Sequence, residues 1–139
     1  MAPTQTNPAQ DAALRVLLAD DSLTQQKLTS KLLTRQGHAV TIASNGEEAV
    51  QALEAEDFDL VLMDVEMPVM DGLAATSAIR QRESKHGGHT AIVAVTSSSD
   101  PEECLAAGMD AYIAKPLRTD AFAQAVHQVL GEQTPALES

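Results

Sequence analysis

Between Leu14 and Leu130 the chain alternates five short apolar runs with five segments of helical period, and this alternation restricts its fold more than any other feature. The runs are Leu14–Ala19, Ala39–Ala43, Leu60–Met63, Ala91–Val95 and Ala111–Ala114. Each is a nearly unbroken series of Val, Leu, Ile and Ala, which suits a strand buried beneath helices on both faces. Such runs alone do not exclude buried helix, so the flanking signals decide. Strand and helix in strict alternation build βαβ units and therefore a parallel sheet.

Those flanking signals are local. Asn45 followed by Glu48, and Asp100 followed by Pro101 and Glu103, have the pattern of helix N-caps with a capping-box acid. Gly37, Gly108 and Gly131 each follow a helical stretch and can take the left-handed conformation that ends it. From about Asp120 to Leu130, the residues Phe122, Ala125, Val126, Val129 and Leu130 fall on one helix face and read as core. The polar, proline-bearing ends lack periodicity. Residues 1–13 are expected to be a disordered N-terminal tail, 14–131 the domain, and 132–139 a C-terminal tail.

With 139 residues there is room for one hydrophobic core and not for two ordinary ones. A formal net charge of −11 opposes direct nucleic-acid binding, which needs Lys and Arg to displace phosphate counterions. Cys104 is the single cysteine, so no internal disulfide can form, and the chain opens on no signal-peptide pattern. No apolar stretch approaches the roughly 20 residues of a membrane span, so no membrane insertion is expected. The cytoplasm is the expected compartment.

Function is suggested by which polar residues follow the strands. Asp20 and Asp21 end the first, Asp64 the third, Thr96 the fourth and Lys115 the fifth. Strand C-termini of an open parallel sheet share one edge, where ligands bind beside the reversal of strand order. The expected fold is an α/β doubly wound five-stranded parallel sheet, flavodoxin-like (βα)5, with strand order 2-1-3-4-5. The first and third strands are then neighbours about 4.8 Å apart, bringing Asp20, Asp21 and Asp64 within mutual reach. Carboxylates that close either protonate or share a cation, and a hard, oxygen-preferring ion such as Mg²⁺ fits them. Lys115 and the Thr96 hydroxyl would add a point charge and a hydrogen bond for a phosphoryl group. Singly, each residue has an ordinary role: a helix cap for Asp20 or Asp21, a β-branched strand position for Thr96, solvated surface for Lys115.

Asp20-Asp21, the run from Met63 through Asp64 to Gly72, Val95-Thr96, and Gly108 through Lys115-Pro116 to Leu117 closely resemble the response-regulator receiver family of two-component signalling. The resemblance extends from about Leu14 to Leu130, with motifs in the family's order and spacing. Asn45-Gly46-Glu47-Glu48-Ala49 and Gly108-Met109-Asp110 are most similar to receivers of hybrid histidine kinases or to single-domain receivers.

The resemblance implies a phosphoacceptor. Asp64 matches the aspartate that takes a phosphoryl group from a phosphohistidine, in a Mg²⁺-dependent reaction. Asp21 and Asp64 match side-chain metal ligands, the main-chain carbonyl of Glu66 a third ligand, and Asp20 a ligand acting through water. Lys115 matches the lysine that pairs with the acceptor and then with the phosphoryl oxygens. Thr96 and Tyr112 match the switch pair, and the bond to Pro116 is cis in the family. The implied partners are a histidine kinase, a histidine phosphotransfer protein, or both; a phosphorylation-dependent dimer is compatible with the resemblance. Catalysis would extend only to the chain's own phosphorylation and dephosphorylation.

Several local features complete the expectations. Glu66 adds negative charge beside the phosphoryl position and so bears on phosphoryl lifetime. Ser97 stands where the family has a small residue, and leaves the site open. Gln25-Gln26 replaces the usual Asn early in the first helix, with altered docking contacts as the expected consequence. Lys27, Lys31 and Arg35 form one basic stripe, either a plain solvated face or a docking aid for an acidic donor. His86-Gly87-Gly88-His89 reads as surface and not as a metal site; Met63, Met67, Met70 and Met109 read as packing. A small Mg²⁺-dependent aspartyl phosphatase or phosphotransferase is the alternative function, weakened by the absence of room for a substrate domain.

Overall fold

The structure, a computed structural model, describes residues 13–97, 101–115 and 117–130. Both expected tails, apart from Ala13, therefore lie outside the described residues, as do Asp100, Pro116 and Gly131. The elements in chain order are β1 (Arg15–Ala19), α1 (Leu23–Arg35), β2 (Ala39–Ala43), α2 (Gly46–Ala55), β3 (Leu60–Asp64), α3 (Gly72–His86), β4 (Ala91–Thr96), α4 (Pro101–Ala107), β5 (Ala111–Ala114) and α5 (Thr119–Val129). The strands form one parallel sheet, as the alternation of strand and helix leads one to expect, in the expected order β2-β1-β3-β4-β5.

Successive side chains of a strand point to opposite sides, so each strand feeds two cores. On one face Leu17, Ala19, Val61, Met63, Ile92 and Ala94 pack with residues of α2, α3 and α4, among them Ala49, Leu53, Ala75, Ile79 and Cys104. On the other, Val16, Leu18, Leu60, Leu62, Val93 and Ile113 pack with Leu33 of α1 and with Phe122 and Ala125 of α5. Val126, Val129 and Leu130 join this second cluster, as the helical stripe indicates. Met63 and Met109 are buried, and Met67 and Met70 pack against the first cluster.

The expectation that all five strands are buried holds for the inner three and fails at the edges. In β2 only Ala43 is buried, and in β5 burial alternates, leaving Tyr112 and Ala114 exposed. An edge strand has one neighbour, and the covering helices reach fully over β1, β3 and β4 alone.

Helix termini follow the sequence signals closely. Asn45 Oδ1 accepts from the Glu48 N–H at 2.9 Å, while the Glu48 carboxylate reaches back to the Ser44 N–H at 2.7 Å, one residue before the cap. Ser22 and Asp71 cap α1 and α3 by accepting from Gln25 and Ala74 N–H groups. Gly37 and Gly108 have φ of +93° and +112°, as helix-ending glycines should.

His38 gives the fold a pH dependence. Its Nδ1 accepts the Leu14 N–H at 3.0 Å, and its ring stands edge-on to Phe122 with centroids 5.7 Å apart. Burial lowers its pKa below the ordinary value, so the folded protein resists protonation. Below about pH 6.5 the unfolded chain binds the proton more readily, and the stability present above that pH is lost as pH falls towards the folded pKa. Urea unfolding at pH 7.5 and 5.5 should show this loss, with a slope of at most ~1.4 kcal/mol per pH unit from this residue. His38→Asn, which keeps an acceptor near Nδ1, should flatten that slope; an unchanged slope would contradict the assignment.

Candidate phosphoacceptor and metal site

The parallel register places four strand ends at one edge. Ala19 pairs with Met63, Asp64 with Val95, and Thr96 with Ala114, so Asp20, Asp64, Thr96 and Lys115 come from adjacent strands. Asp64 and Thr96 are the last residues of their strands, and both are buried. Carboxylate oxygens of Asp20, Asp21 and Asp64 all lie within 4.8 Å of one another. Asp20 is buried and Asp21 exposed. Lys115 reaches in from β5, its Nζ 2.9 Å from Asp64 Oδ2, and its backbone N–H donates to the Thr96 carbonyl at 2.9 Å.

Each carboxylate is oriented by the backbone that follows it. Asp20 Oδ1 accepts from the Ser22 N–H at 2.9 Å, and Asp64 Oδ1 accepts from the Glu66 N–H at 3.2 Å. The Glu66 side chain is exposed. Beyond it Val69 has φ of +69° with a Met70 N–H to Pro68 carbonyl bond of 2.6 Å, a tight turn in a backbone region unusual for a β-branched residue. Tyr112 points outward from β5, exposed, and Ser97 is exposed beside the edge.

Charge dominates the site. Two like charges about 4 Å apart repel by on the order of 4 kcal/mol at a surface-like effective dielectric. Burial raises the pKa of Asp20; the Ser22 hydrogen bond and Lys115 act against the rise, while Asp64 and Asp21 reinforce it. For Lys115, burial favours the neutral amine, yet the hydrogen bond and charge of Asp64, with the fields of Asp20 and Asp21, prevail and raise its pKa. One lysine therefore faces three carboxylates. A hard divalent cation with oxygen ligands fits the remaining charge and the donor set.

Comparison with known proteins decides the family. The sequence matches the response regulator receiver domain family over residues 16–127. The chain belongs to the response regulator receiver domain family. It is 43% identical over 118 residues to the sensor histidine kinase GacS of Pseudomonas protegens, covering 82% of this chain and 13% of that protein. It is 40% identical over 111 residues to hybrid signal transduction histidine kinase I of Dictyostelium discoideum, covering 74% of this chain. The receiver thus spans 6% to 13% of the length of these two relatives.

Solved structures agree. The receiver domain of a sensor histidine kinase from Pseudomonas aeruginosa, crystallised with a magnesium ion in its active-site cleft, superposes with a TM-score of 0.77 at 34% identity, covering 86% of this chain and 99% of that one. A chain of the Saccharomyces cerevisiae complex between the phosphotransfer protein Ypd1 and the Ssk1 receiver gives a TM-score of 0.81 at 26% identity, covering 87% and 91%.

The structure also shows contacts that sequence reasoning placed elsewhere or missed. Gln26, read as part of an altered docking surface, turns inward and donates from Nε2 to the Asp20 carbonyl at 2.6 Å. His89, read as bare surface, pairs through Nε2 with Asp110 Oδ1 at 2.8 Å. Asp110 also accepts from Arg80 and from the Ile92 N–H. Beside it, Glu83 takes hydrogen bonds from the Thr90 N–H and Arg80; burial opposes its charge, but these bonds prevail and lower its pKa.

Two glycines of this receiver are sites of close approach. A Cβ on Gly72 would stand 2.3 Å from the Asp64 carbonyl oxygen and 2.9 Å from Met63 Cγ, and one on Gly46 would stand 2.4 Å from the Met70 carbonyl oxygen. The Gly46 N–H donates to that same Met70 oxygen at 2.8 Å, and the Gly72 N–H donates to the Val65 carbonyl at 2.8 Å. Gly72→Ala should therefore push the end of β3 out of place and destabilise the fold by ~1–3 kcal/mol in urea titration, the range of overpacked cores. Full stability in that variant would show that the contact can relax.

Proposed function

We propose that this receiver takes a phosphoryl group from a phosphohistidine of a kinase or phosphotransfer protein onto Asp64, with Mg²⁺ bound by its acidic edge. The observation that carries the reading is the Asp64 carboxylate held 2.9 Å from Lys115 within the cluster of Asp20 and Asp21. Asp21, Asp64 and the Glu66 main-chain carbonyl are the proposed metal ligands, with Asp20 an outer ligand. These residues would hold Mg²⁺, which would supply positive charge to offset that of the carboxylates and of a phosphoryl group; the Pseudomonas aeruginosa receiver has a magnesium ion in its active-site cleft.

An Asp64 carboxylate oxygen attacks phosphorus in line while the phosphorus–nitrogen bond to the donor imidazole breaks, its electrons returning to the ring. Lys115 follows the developing charge from the carboxylate to a phosphoryl oxygen, and the Thr96 hydroxyl turns to donate to another. The product is an acyl phosphate on Asp64. Thr96 then draws in towards it and Tyr112 turns from its exposed position, which changes the α4–β5 surface. Hydrolysis by water at the same site reverses the state, so the chain catalyses only its own phosphorylation and dephosphorylation.

A docking surface for the donor adjoins the site. Lys27, Lys31 and Arg35 are exposed along α1, and Leu23 and Leu28 are large exposed apolar residues of the same helix. By charge complementarity an acidic phosphohistidine donor suits this combination, and a phosphotransfer protein is a partner of the Ssk1 receiver in its complex with Ypd1. The proposed domain is 14–131 with tails at 1–13 and 132–139, acting in the cytoplasm, relaying phosphate or switching its surface, with dimerisation on phosphorylation. Among the described residues no helix is long and apolar enough to cross a membrane. Because the receiver family is a signalling family, we set aside the small-phosphatase alternative.

Incubation with Mg²⁺ and acetyl phosphate, read by intact mass, should give one phosphoryl adduct that disappears in Asp64→Asn and with chelator. An adduct persisting in Asp64→Asn would overturn the acceptor assignment. Tyr112→Ala should keep the adduct while weakening the output; loss of the adduct would oppose a switch role. Lys31→Glu should slow transfer from a phosphohistidine donor by about twofold to fivefold at low salt, the effect of one exposed ion pair of ~0.4–1 kcal/mol, and lessen its salt dependence. Equal rates across ionic strength would return the stripe to plain surface.

A further inference from the structure

Adjacent residues of an extended strand point to opposite faces, so Asp20 and Asp21 can share one site only if the chain leaves strand geometry between them. It does so directly after β1, which ends at Ala19. The peptide joining the two residues therefore sets where both carboxylates point. Asp20 is fastened on three sides: its N–H donates to the Ala43 carbonyl at 3.0 Å, its carboxylate accepts from the Ser22 N–H at 2.9 Å, and its carbonyl accepts from Gln26 Nε2 at 2.6 Å.

The third contact is unlike the others, because it is the one made by a side chain from a later element. Gln26 is buried within α1. Its backbone N–H donates to the Ser22 carbonyl at 2.8 Å, so the main chain continues the helix while the side chain turns back to the strand end. The carbonyl it holds belongs to the very peptide that links Asp20 to Asp21. We propose that Gln26 is a positioning residue for the cation site: by fixing this peptide plane it keeps the exposed Asp21 carboxylate turned towards Asp64. The inference rests on the metal reading given above and assigns the residue that pre-shapes the site. Partners of this kind behind metal ligands commonly change metal affinity by about 10–100-fold when removed.

A hydrogen bond that merely closed a buried carbonyl would alter stability and leave the folded site unchanged. A positioning bond alters metal affinity in the folded protein. Gln26→Met keeps length and volume without the donor; Gln26→Asn keeps the amide one methylene short, and carries the test if the first variant does not fold. Calorimetric titration with Mg²⁺ at a temperature where circular dichroism shows each protein folded should give a Kd raised about tenfold in either variant. The Mg²⁺ half-saturation of acetyl phosphate labelling should rise by the same factor, with the saturating rate within about twofold of wild type. In the metal-free protein, amide exchange at Ser22 should quicken as the loop loosens.

Unchanged Mg²⁺ affinity in folded variants, or a lower saturating rate with no change in half-saturation, would overturn the positioning role and leave the receiver reading intact. Failure of the wild type to bind Mg²⁺ would instead remove the reading on which the inference rests.

Discussion

Three carboxylates gathered against one ammonium form the constraint to which the surrounding structure answers. Left in water, Asp20, Asp21 and Asp64 would move apart; at the sheet edge their oxygens stay within 4.8 Å. Mutual repulsion of several kcal/mol has to be offset. Part comes from Lys115, part from backbone N–H groups of Ser22 and Glu66 donating to Asp20 and Asp64. Burial, reinforced by the charges of Asp64 and Asp21, still holds the Asp20 pKa above its ordinary value against the Ser22 hydrogen bond and Lys115. An acidic edge of this kind stores electrostatic tension that a divalent ion can relieve.

Such tension needs a stiff frame, and the parallel sheet supplies it. Asp20 and Asp21 follow β1 and Asp64 ends β3, inner strands that feed both cores, so a displacement there disturbs two cores at once. Gly72 sits so tightly over the Asp64 carbonyl that no side chain fits, and Gly46 closes in the same way on the loop beyond. Asp64 is thus braced by the packing of α2 and α3 as well as by its own strand.

Much of this was legible in the sequence, for identifiable reasons. The alternation of strand and helix, the cap at Asn45 and the core face of α5 follow from periodicity and local chemistry, which act over a few residues, whereas the strand order rests on the rules of doubly wound sheets. The convergence of Asp20, Asp21, Asp64, Thr96 and Lys115 follows from topology once the strands are parallel. Edge exposure of β2 and β5 was less visible, because Ala39–Ala43 reads as apolar whichever position it takes in the sheet. Gln26 was misplaced for a different reason. A polar side chain on a helix is assigned to solvent by default, and only the three-dimensional path of the Asp20 carbonyl shows that it has a buried partner. His89 likewise found Asp110 across 21 positions of sequence, beyond the range of any local pattern.

The bracing is also uneven, and this bears on how a receiver can be rigid and responsive at once. Arg80 on α3 ties down one end of the α4–β5 region, donating to the Gly108 carbonyl at 2.9 Å and to Asp110 Oδ2 at 2.9 Å. At the opposite end Lys115 meets the acidic cluster through Asp64 and bonds the Thr96 carbonyl through its own N–H. Between these ends lies α4, of 7 residues, followed by an edge strand whose outward face exposes Tyr112, with Leu105 exposed on the helix. Elements with little buried surface are those that move at least expense in free energy. On the proposal that Asp64 accepts a phosphoryl group, the chemistry would fall on the braced half, which cannot yield, and the pull on Thr96 would pass to the lightly covered half, which can. Chemistry and response would then be separated by burial within a single sheet.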